Sequence, residues 1–207
     1  MNMNRKHNRS GAMKRLCCIL LGAALLLCGC AAAENEAAEA ASPVYVAIEI
    51  RDYGTVTAEL YPDTAPLTVA NFLKLVGDGF YDGLTFHRII SGFMIQGGDP
   101  KGNGTGGSSE RIRGEFAANG WDNPLKHTRG VLSMARAMDP DSASSQFFIM
   151  HEDAPHLDGQ YAAFGKVIAG MEVVDAICEN TPVTDRNGTV MREDQPVILS
   201  IRLTDKP

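Results

Sequence analysis

The segment FHRIISGFMIQGGD, residues 86–99, places one arginine among aromatic and aliphatic side chains. A guanidinium is always charged, so its placement in an apolar strand costs free energy unless the group is paired or used. Further along the chain, residues 145–149 (SQFFI) and 157–159 (LDG) supply more aromatic and apolar groups. An apolar hollow containing one cation suits a neutral ligand whose carbonyl or amide can be polarised. Arg88 is therefore the first candidate for a chemical role.

Other patterns that resemble sites are weaker. His151, Asp153 and His156 match no helical or zinc-ribbon spacing, so no metal site is predicted. The glycine-rich stretch 102–107 lacks both a following helical pattern and a lysine at the offset of a nucleotide loop, which favours a groove rim. It lies in a region, residues 97–129, with little periodicity, and so long a stretch inside a compact domain is usually functional. No Gly-x-Ser-x-Gly motif supports a hydrolase.

Periodicity predicts the elements that position these residues. Alternating apolar side chains over 44–50 and 55–61 predict a hairpin with its turn at 52–54. Apolar residues repeat at helical spacing over 64–76, and a second helix is predicted over 171–179. Further strands are predicted over residues 85–90, 93–96, 131–135, 146–150, 162–167 and 197–203. Seven or eight short strands with two helices indicate an antiparallel barrel or sandwich.

The N-terminus has the pattern of an export signal. Residues 1–15 carry five basic side chains and no acidic one, and an apolar run follows over residues 16–27. This run is shorter than the roughly 20 residues that a membrane-spanning helix needs. It ends in Leu-Cys-Gly-Cys at 27–30, which resembles a bacterial lipoprotein box, in which the signal is cut before the cysteine, here Cys30, and that cysteine receives lipid. An ordinary signal cut near Ala33 is the alternative.

This signal sets the predicted domain boundaries. We predict a lipoprotein signal peptide over 1–29, a lipid-anchored flexible tether over 30–43 and one folded domain over 44–207. Loss of the signal takes the formal net charge from −6 to −11, and an acidic chain is not expected to bind nucleic acid. Of the five cysteines only Cys178 lies in the domain, so no disulfide is predicted there. The predicted location is extracytoplasmic, anchored to a bacterial membrane through lipid on Cys30.

Five stretches of the domain resemble the cyclophilins, a family of peptidyl-prolyl cis–trans isomerases. They are FHRIISGFMIQGGD (86–99), NGTGG (103–107), LKHTRGVLSMA (125–135), SQFFI (145–149) and LDGQYAAFGKV (157–167), in the family's order and spacing. The resemblance implies a mainly β fold, a closed eight-stranded antiparallel barrel capped by two α-helices. It also implies a monomer that isomerises X–Pro bonds in proline-containing peptides and in unfolded or exported proteins.

The resemblance assigns roles to residues at the matching positions. Arg88 is similar to the catalytic arginine of the family. The pocket that receives the proline ring corresponds to Phe93, Met94, Phe148 and Leu157. The polar groove positions are Gln96 and Gln146, and the groove for residues preceding the proline corresponds to Gly104, Ala135 and Arg136. Rotation about a peptide bond makes and breaks no covalent bond, so no nucleophile, metal or cofactor is expected, and His87 is interpreted as structural.

Three residues of the groove depart from the family. His156 stands where tryptophan is common, which lowers the affinity expected for the inhibitor cyclosporin. Tyr161 replaces a common histidine but keeps a ring with a polar tip, so activity is expected to survive. Arg136 replaces a common asparagine and adds a charge that can bias the choice of substrate. The alternative function is a non-catalytic module that binds proline-containing peptides or unfolded chains without useful turnover.

Overall fold

The computed structural model describes residues 43–206, so the predicted signal peptide, Cys30 and all but the last residue of the predicted tether lie outside the described residues. Eight strands and two α-helices are present in this part. In chain order they are β1 (Val44–Ile50), β2 (Gly54–Leu60), α1 (Pro66–Gly77), β3 (Phe86–Ile90), β4 (Met94–Gly97), β5 (Val131–Met134), β6 (Phe147–Met150), β7 (Ala163–Ala169), α2 (Met171–Asn180) and β8 (Ile198–Thr204). Each lies within two residues of the bounds that periodicity predicts.

The strands form one sheet in the order β3-β4-β6-β5-β7-β2-β1-β8, and every neighbouring pair is antiparallel. The closed barrel expected from the sequence is not confirmed, because β3 and β8 are the two edges of the sheet. These edges approach each other at a bridge between Thr85 and Val197, just before each strand begins, and at backbone hydrogen bonds on either side of that bridge. Next to it the N–H of Phe86 donates to the carbonyl of Pro196 at 3.0 Å, but Pro196 has no N–H with which to continue the ladder.

The strands at the centre of the sheet carry buried side chains on both faces. Phe147 and Ile149 of β6 belong to the main core, which α1 joins through Phe72, whose ring lies 5.5 Å from that of Phe147. The alternate residues Phe148 and Met150 point to the opposite face and belong to a second, smaller apolar cluster. The fold thus provides a second apolar surface on the far side of the sheet from its main core.

The long segment between β4 and β5, residues 98–130, is irregular, as the sequence predicts. Side chains hold it in place. The buried Glu115 accepts hydrogen bonds from the N–H groups of Leu67 at 3.0 Å and Thr68 at 2.8 Å. Its carboxylate therefore caps the N-terminus of α1. Asn123 donates to the carbonyls of both Glu115 and Ala163, at 3.0 and 2.8 Å. These bonds fix the segment against β7 and α1.

Neither α-helix within residues 43–206 is long and apolar enough to cross a membrane.

Candidate active site

The guanidinium of Arg88 is held from two sides. Arg88 lies on β3 opposite Gln96 of β4, and its Nη1 donates to Gln96 Oε1 at 3.3 Å. On the other side Nε donates to the backbone carbonyl of Asn187 at 2.8 Å, and Nη2 donates to Asn187 Oδ1 at 3.4 Å. Burial lowers the pKa of Arg88 from its ordinary value, but an arginine starts so far above neutrality that it stays charged. The structure therefore presents a fixed cation.

An apolar pocket of about 250 Å³ opens beside this cation. Its floor is the second apolar cluster, where Met94, Phe148 and Leu157 are buried. The full lining consists of Arg88, Phe93, Met94, Gln96, Ala135, Arg136, Phe148, Leu157 and Tyr161. All nine are residues that the sequence predicted for the site. None of them is a serine, cysteine or lysine, so the pocket contains no side-chain nucleophile of those kinds.

Aromatic contacts shape the rim of the pocket. The ring of Phe93 stacks on that of His156 at 5.7 Å, which places His156 at the rim, although it does not line the pocket itself. Phe148 meets Tyr161 edge to face at 5.9 Å. Behind Phe148 lies the buried ring of His127, at 6.1 Å. Sequence reasoning missed His127 as a support for the pocket, although it falls inside one of the stretches that carry the family resemblance.

His127 is itself held by hydrogen bonds. Its Nε2 lies 3.0 Å from the hydroxyl of Ser133 on β5, and its Nδ1 lies 3.2 Å from Asp158. Burial lowers the pKa of His127, and the carboxylate of Asp158 opposes that shift. The imidazole thus packs behind Phe148 as a neutral group and supports the back of the pocket.

A second, polar hollow adjoins the pocket and contains the remaining predicted groove residues. Gln96 Nε2 donates to Gln146 Oε1 at 2.9 Å, and Gln146 Nε2 donates to the carbonyls of Gly104 at 3.2 Å and Gly106 at 2.7 Å. A chain of hydrogen bonds therefore runs from Arg88 through two glutamines to the glycine-rich loop. The sequence-based interpretation of this loop as a groove rim agrees with its position.

The segment 184–190 is the largest part of the site that sequence reasoning missed. It pairs with β3, because the N–H of Ile89 donates to the carbonyl of Gly188 at 2.8 Å and the N–H of Val190 donates to that of His87 at 3.1 Å. This pairing brings Asn187 to the guanidinium of Arg88. The Asn-Gly pair at 187–188 is a turn signal, but no sequence pattern shows which strand the turn will meet.

The histidines and acids considered for a metal site do not converge. His151 Nδ1 accepts the N–H of Gly92 at 2.8 Å, and its Nε2 lies 3.2 Å from Asp175. Asp153 instead accepts the N–H of Arg129 at 2.7 Å. Within residues 43–206 no three His, Cys, Asp or Glu side chains are grouped so that they could hold a metal ion.

A pocket with a buried apolar floor and the fixed guanidinium of Arg88 at its edge defines a class of site. Its shape and lining suit a neutral ring with a hydrogen-bond donor beside it, an arrangement that can stabilise a lone pair. Such a site, on the outer face of an eight-stranded antiparallel sheet with two helices, fits an isomerase of peptide bonds.

Comparison with known proteins identifies the family. The family model for cyclophilin type peptidyl-prolyl cis–trans isomerase matches residues 45–202. Peptidyl-prolyl cis–trans isomerase B of Bacillus subtilis is 49% identical over 144 residues, which cover 70% of this chain and 92% of that protein. A peptidyl-prolyl cis–trans isomerase of Helicobacter pylori is 45% identical over 146 residues, covering 70% of this chain and 86% of the relative. The chain belongs to the cyclophilin family, and peptidyl-prolyl cis–trans isomerisation is its enzymatic activity.

Solved structures agree with this assignment. A cyclophilin type isomerase of Cryptosporidium parvum superposes with a TM-score of 0.70 at 37% identity, covering 80% of this chain and 100% of that one. A second crystal structure of that protein, in the presence of the dipeptide Ala-Pro, gives a TM-score of 0.69 at 37% identity over 78% of this chain and 99% of that one. The mainly β, cyclophilin-like fold predicted from the sequence is thereby confirmed.

Proposed function

We propose that Arg88 is the catalytic residue and that the apolar pocket binds the proline ring of peptide and unfolded protein substrates. The observation that carries this proposal is that the guanidinium of Arg88 is fixed beside a pocket floor formed by the buried side chains of Met94, Phe148 and Leu157. Rotation about a peptide bond is slow because amide resonance raises its barrier to about 18–20 kcal/mol. For X–Pro bonds the two isomers are close in energy, so only the barrier needs to be lowered.

The proposed mechanism is differential binding. When the X–Pro bond twists, resonance is lost and the imide nitrogen becomes pyramidal with an available lone pair. The guanidinium of Arg88 donates a hydrogen bond to that nitrogen in the twisted state but not in the planar one. A hydrogen bond from a charged donor is worth about 1.5–3 kcal/mol, which corresponds to roughly one to two decades of rate. The remaining acceleration comes from Phe93, Met94, Phe148 and Leu157 clamping the ring while the preceding residue rotates.

The test is a cis-to-trans exchange assay on the purified domain with a short proline peptide. The wild-type domain should accelerate exchange, and Arg88→Ala should lose about ten- to hundredfold in kcat/KM. Arg51→Ala is a matched control, because Arg51 is exposed in the turn between β1 and β2. Absence of acceleration by the wild-type domain, or an equal loss in both variants, would overturn the proposal. Peptide binding without acceleration would instead support the alternative, a non-catalytic binding module.

We also propose that the protein is a monomer that acts on exported proteins from a lipid anchor on Cys30. The monomer is what the resemblance to the cyclophilins implies. The order of basic residues, apolar run and Leu-Cys-Gly-Cys at 27–30 supports export and lipidation. The extracytoplasmic face of a bacterial membrane is the location that follows.

Intact-mass measurement of the protein extracted from membranes tests the anchor. The mature chain should begin at Cys30 and carry a diacylglycerol on its thiol. Cys30→Ala should abolish both, whereas Cys28→Ala should change neither, because Cys28 lies in the discarded segment. An unmodified mature chain beginning near Ala33 would refute lipidation. Sedimentation of the purified domain as a dimer would refute the proposed monomer.

A further inference from the structure

The polar hollow beside the proline pocket is large enough for a substrate side chain. It has a volume of about 310 Å³ and shares Gln96, Ala135 and Arg136 with the pocket, so the two cavities are adjacent. The hollow lies on the polar side of the pocket, where Gln96 contacts Arg88. If the nitrogen of a bound proline faces Arg88, the chain that precedes it can extend into this hollow.

The charge of the hollow contrasts with that of the chain. The whole chain has a formal net charge of −6, yet the two ionisable side chains that line the hollow are the cations of Arg111 and Arg136. Carboxylates that adjoin the lining residues in sequence are engaged elsewhere. Glu110 pairs with Lys74 at 2.9 Å, and Asp141 accepts hydrogen bonds from Gly114 N–H at 3.0 Å and from Asn119 Nδ2 at 2.8 Å. Both ionisable groups in the lining are thus positive, while the nearby carboxylate of Asp99 lies behind the wall, where it accepts the N–H groups of Asn103 and Gly104.

The two arginines differ in how firmly they are held. The guanidinium of Arg136 lies 4.7 Å from the ring centre of Tyr161 and 5.1 Å from that of Phe116. It donates from Nε and Nη2 to the carbonyl of Gln160, at 3.2 and 3.0 Å, and from Nη1 to that of Ala137 at 2.9 Å. Three of its five N–H groups are thus used, and two remain for a ligand.

Arg111 has no hydrogen-bond or ion-pair partner among the described residues, and its side chain is exposed. Gly106 and Gly107 in the wall of the hollow tolerate no side chain, because a Cβ at Gly106 would clash with Asp99 Oδ1 and one at Gly107 would clash with Ser144 Oγ. The space beside one fixed cation and one uncommitted cation therefore stays open.

We propose that this hollow makes the enzyme select proline segments that carry a carboxylate side chain within a few residues before the proline. The inference rests on the proposed function, since it assumes that the proline ring occupies the apolar pocket. The fixed fork of Arg136 and the free guanidinium of Arg111 bind a carboxylate from two sides. A lysine at the same position meets two like charges and is disfavoured.

The experiment measures exchange by NMR line-shape or exchange spectroscopy, which needs no coupling protease. Peptides of one sequence carry Glu, Gln or Lys at the first, second or third residue before the proline, and in a second set after it. At the preferred position before the proline, kcat/KM should be about threefold higher for Glu than for Gln and lower for Lys, since partly exposed ion pairs are weak. The preference should shrink as salt is raised, because ions screen exposed charges.

Two variants distinguish the charge preference from the isomerase activity. Arg111→Glu should reverse the preference between the Glu and Lys peptides. Arg113→Glu is the matched control with the same change of charge, because Arg113 lies over the ring of Trp121 at 5.9 Å and outside the hollow, and it should leave the preference unchanged. Equal rates for Glu, Gln and Lys peptides, or an unchanged preference in Arg111→Glu, would overturn this inference while leaving the isomerase function intact. No turnover of the Gln peptide would overturn the proposed function itself.

Discussion

Two partners on opposite sides orient the guanidinium of Arg88, and Asn187 is the one that can be altered without touching the pocket. Asn187→Ala removes the side-chain contact at 3.4 Å but keeps the backbone carbonyl that accepts from Nε at 2.8 Å. We therefore expect kcat/KM to fall about two- to fivefold, much less than in Arg88→Ala, with KM nearly unchanged. Peptide exchange rates over a range of substrate concentrations measure this split.

A double-mutant cycle shows whether Asn187 acts through Arg88. In the Arg88→Ala background, the loss of Asn187 should have no further effect, because the group that it positions is gone. Asn180→Ala is the matched control: Asn180 is exposed at the end of α2, where its amide donates to the carbonyl of Ala176. An equal loss with and without Arg88 would show that Asn187 has no positioning role.

The residues of the site were predictable to different extents. The nine residues that line the apolar pocket fall in or next to the stretches that resemble the cyclophilins, which is why the sequence could predict that they lie together. Asn187 lies 99 positions from Arg88 and outside every such stretch. Its contact depends on how the segment 184–190 meets β3, and periodicity carries no information on which strand a distant turn will join.

The segment 184–190 pairs with the free edge of β3, and this pairing depends on one glycine. Gly188 has φ of +78°, and a Cβ there would lie 2.2 Å from the carbonyl oxygen of Ile89. Asp185 closes the turn by accepting the N–H of Thr189 at 3.1 Å and its hydroxyl at 2.9 Å. The close approach of two backbones thus requires glycine at this position.

Gly188→Ala should separate the segment 184–190 from β3. We expect faster amide exchange at Ile89, whose N–H donates to the carbonyl of Gly188, and a loss of about tenfold in kcat/KM as Arg88 loses both contacts to Asn187. Hydrogen exchange measured by NMR gives the first quantity and the peptide assay the second.

The matched control for this variant is Gly120→Ala. Gly120 also has a positive φ, +73°, but a Cβ there would have nothing within 4 Å. Gly120→Ala therefore carries the same kind of backbone strain without the clash, and it should leave both exchange at Ile89 and the activity near wild type. Similar effects in the two variants would mean that general destabilisation, rather than the attachment of 184–190 to β3, governs the site.

The sequence predicts the strands and helices that have a simple periodicity, but it does not predict whether the two edges of the sheet meet. β1 alternates buried and more exposed residues along most of its length, and β6 is a short apolar run buried on both faces; each pattern indicates a strand. Whether the edges of a sheet meet depends on backbone hydrogen bonds between distant residues. Here the edges meet at a bridge between Thr85 and Val197 and at a few flanking backbone hydrogen bonds, and the strand pattern does not show this contact.

For the molecule as a whole, two buried imidazoles link stability to pH. His87 is 5% exposed, and neither ring nitrogen has a hydrogen-bond partner among residues 43–206. Burial lowers its pKa, Asp99 opposes this shift, and the charge of Arg88 adds to it. Burial likewise lowers the pKa of His127. Both histidines are therefore harder to protonate in the folded protein than in the unfolded chain.

The sign of the pH dependence follows from these shifts. An unfolded histidine titrates near pH ~6.5, whereas the folded groups titrate lower. Between those values the unfolded chain binds more protons than the folded protein. The contribution of the two histidines to the free energy of unfolding is therefore complete above about pH 6.5, and it is lost as the pH drops towards the folded pKa values. His87→Phe should make this fall shallower, because it removes one of the two groups. It should also keep the activity within about threefold, because His87 makes no hydrogen bond that the substitution would break.

Urea unfolding of wild type and His87→Phe between pH 5 and pH 8 measures the effect. Above about pH 7 both proteins should show the same weak dependence on pH, since neutral histidines bind no protons in either state. Below about pH 6.5 the stability of the wild type should fall more steeply. Parallel curves over the whole range would show that His87 is protonated equally easily in both states. A large loss of activity at neutral pH would instead show that its imidazole serves Arg88, contrary to its interpretation as a structural residue.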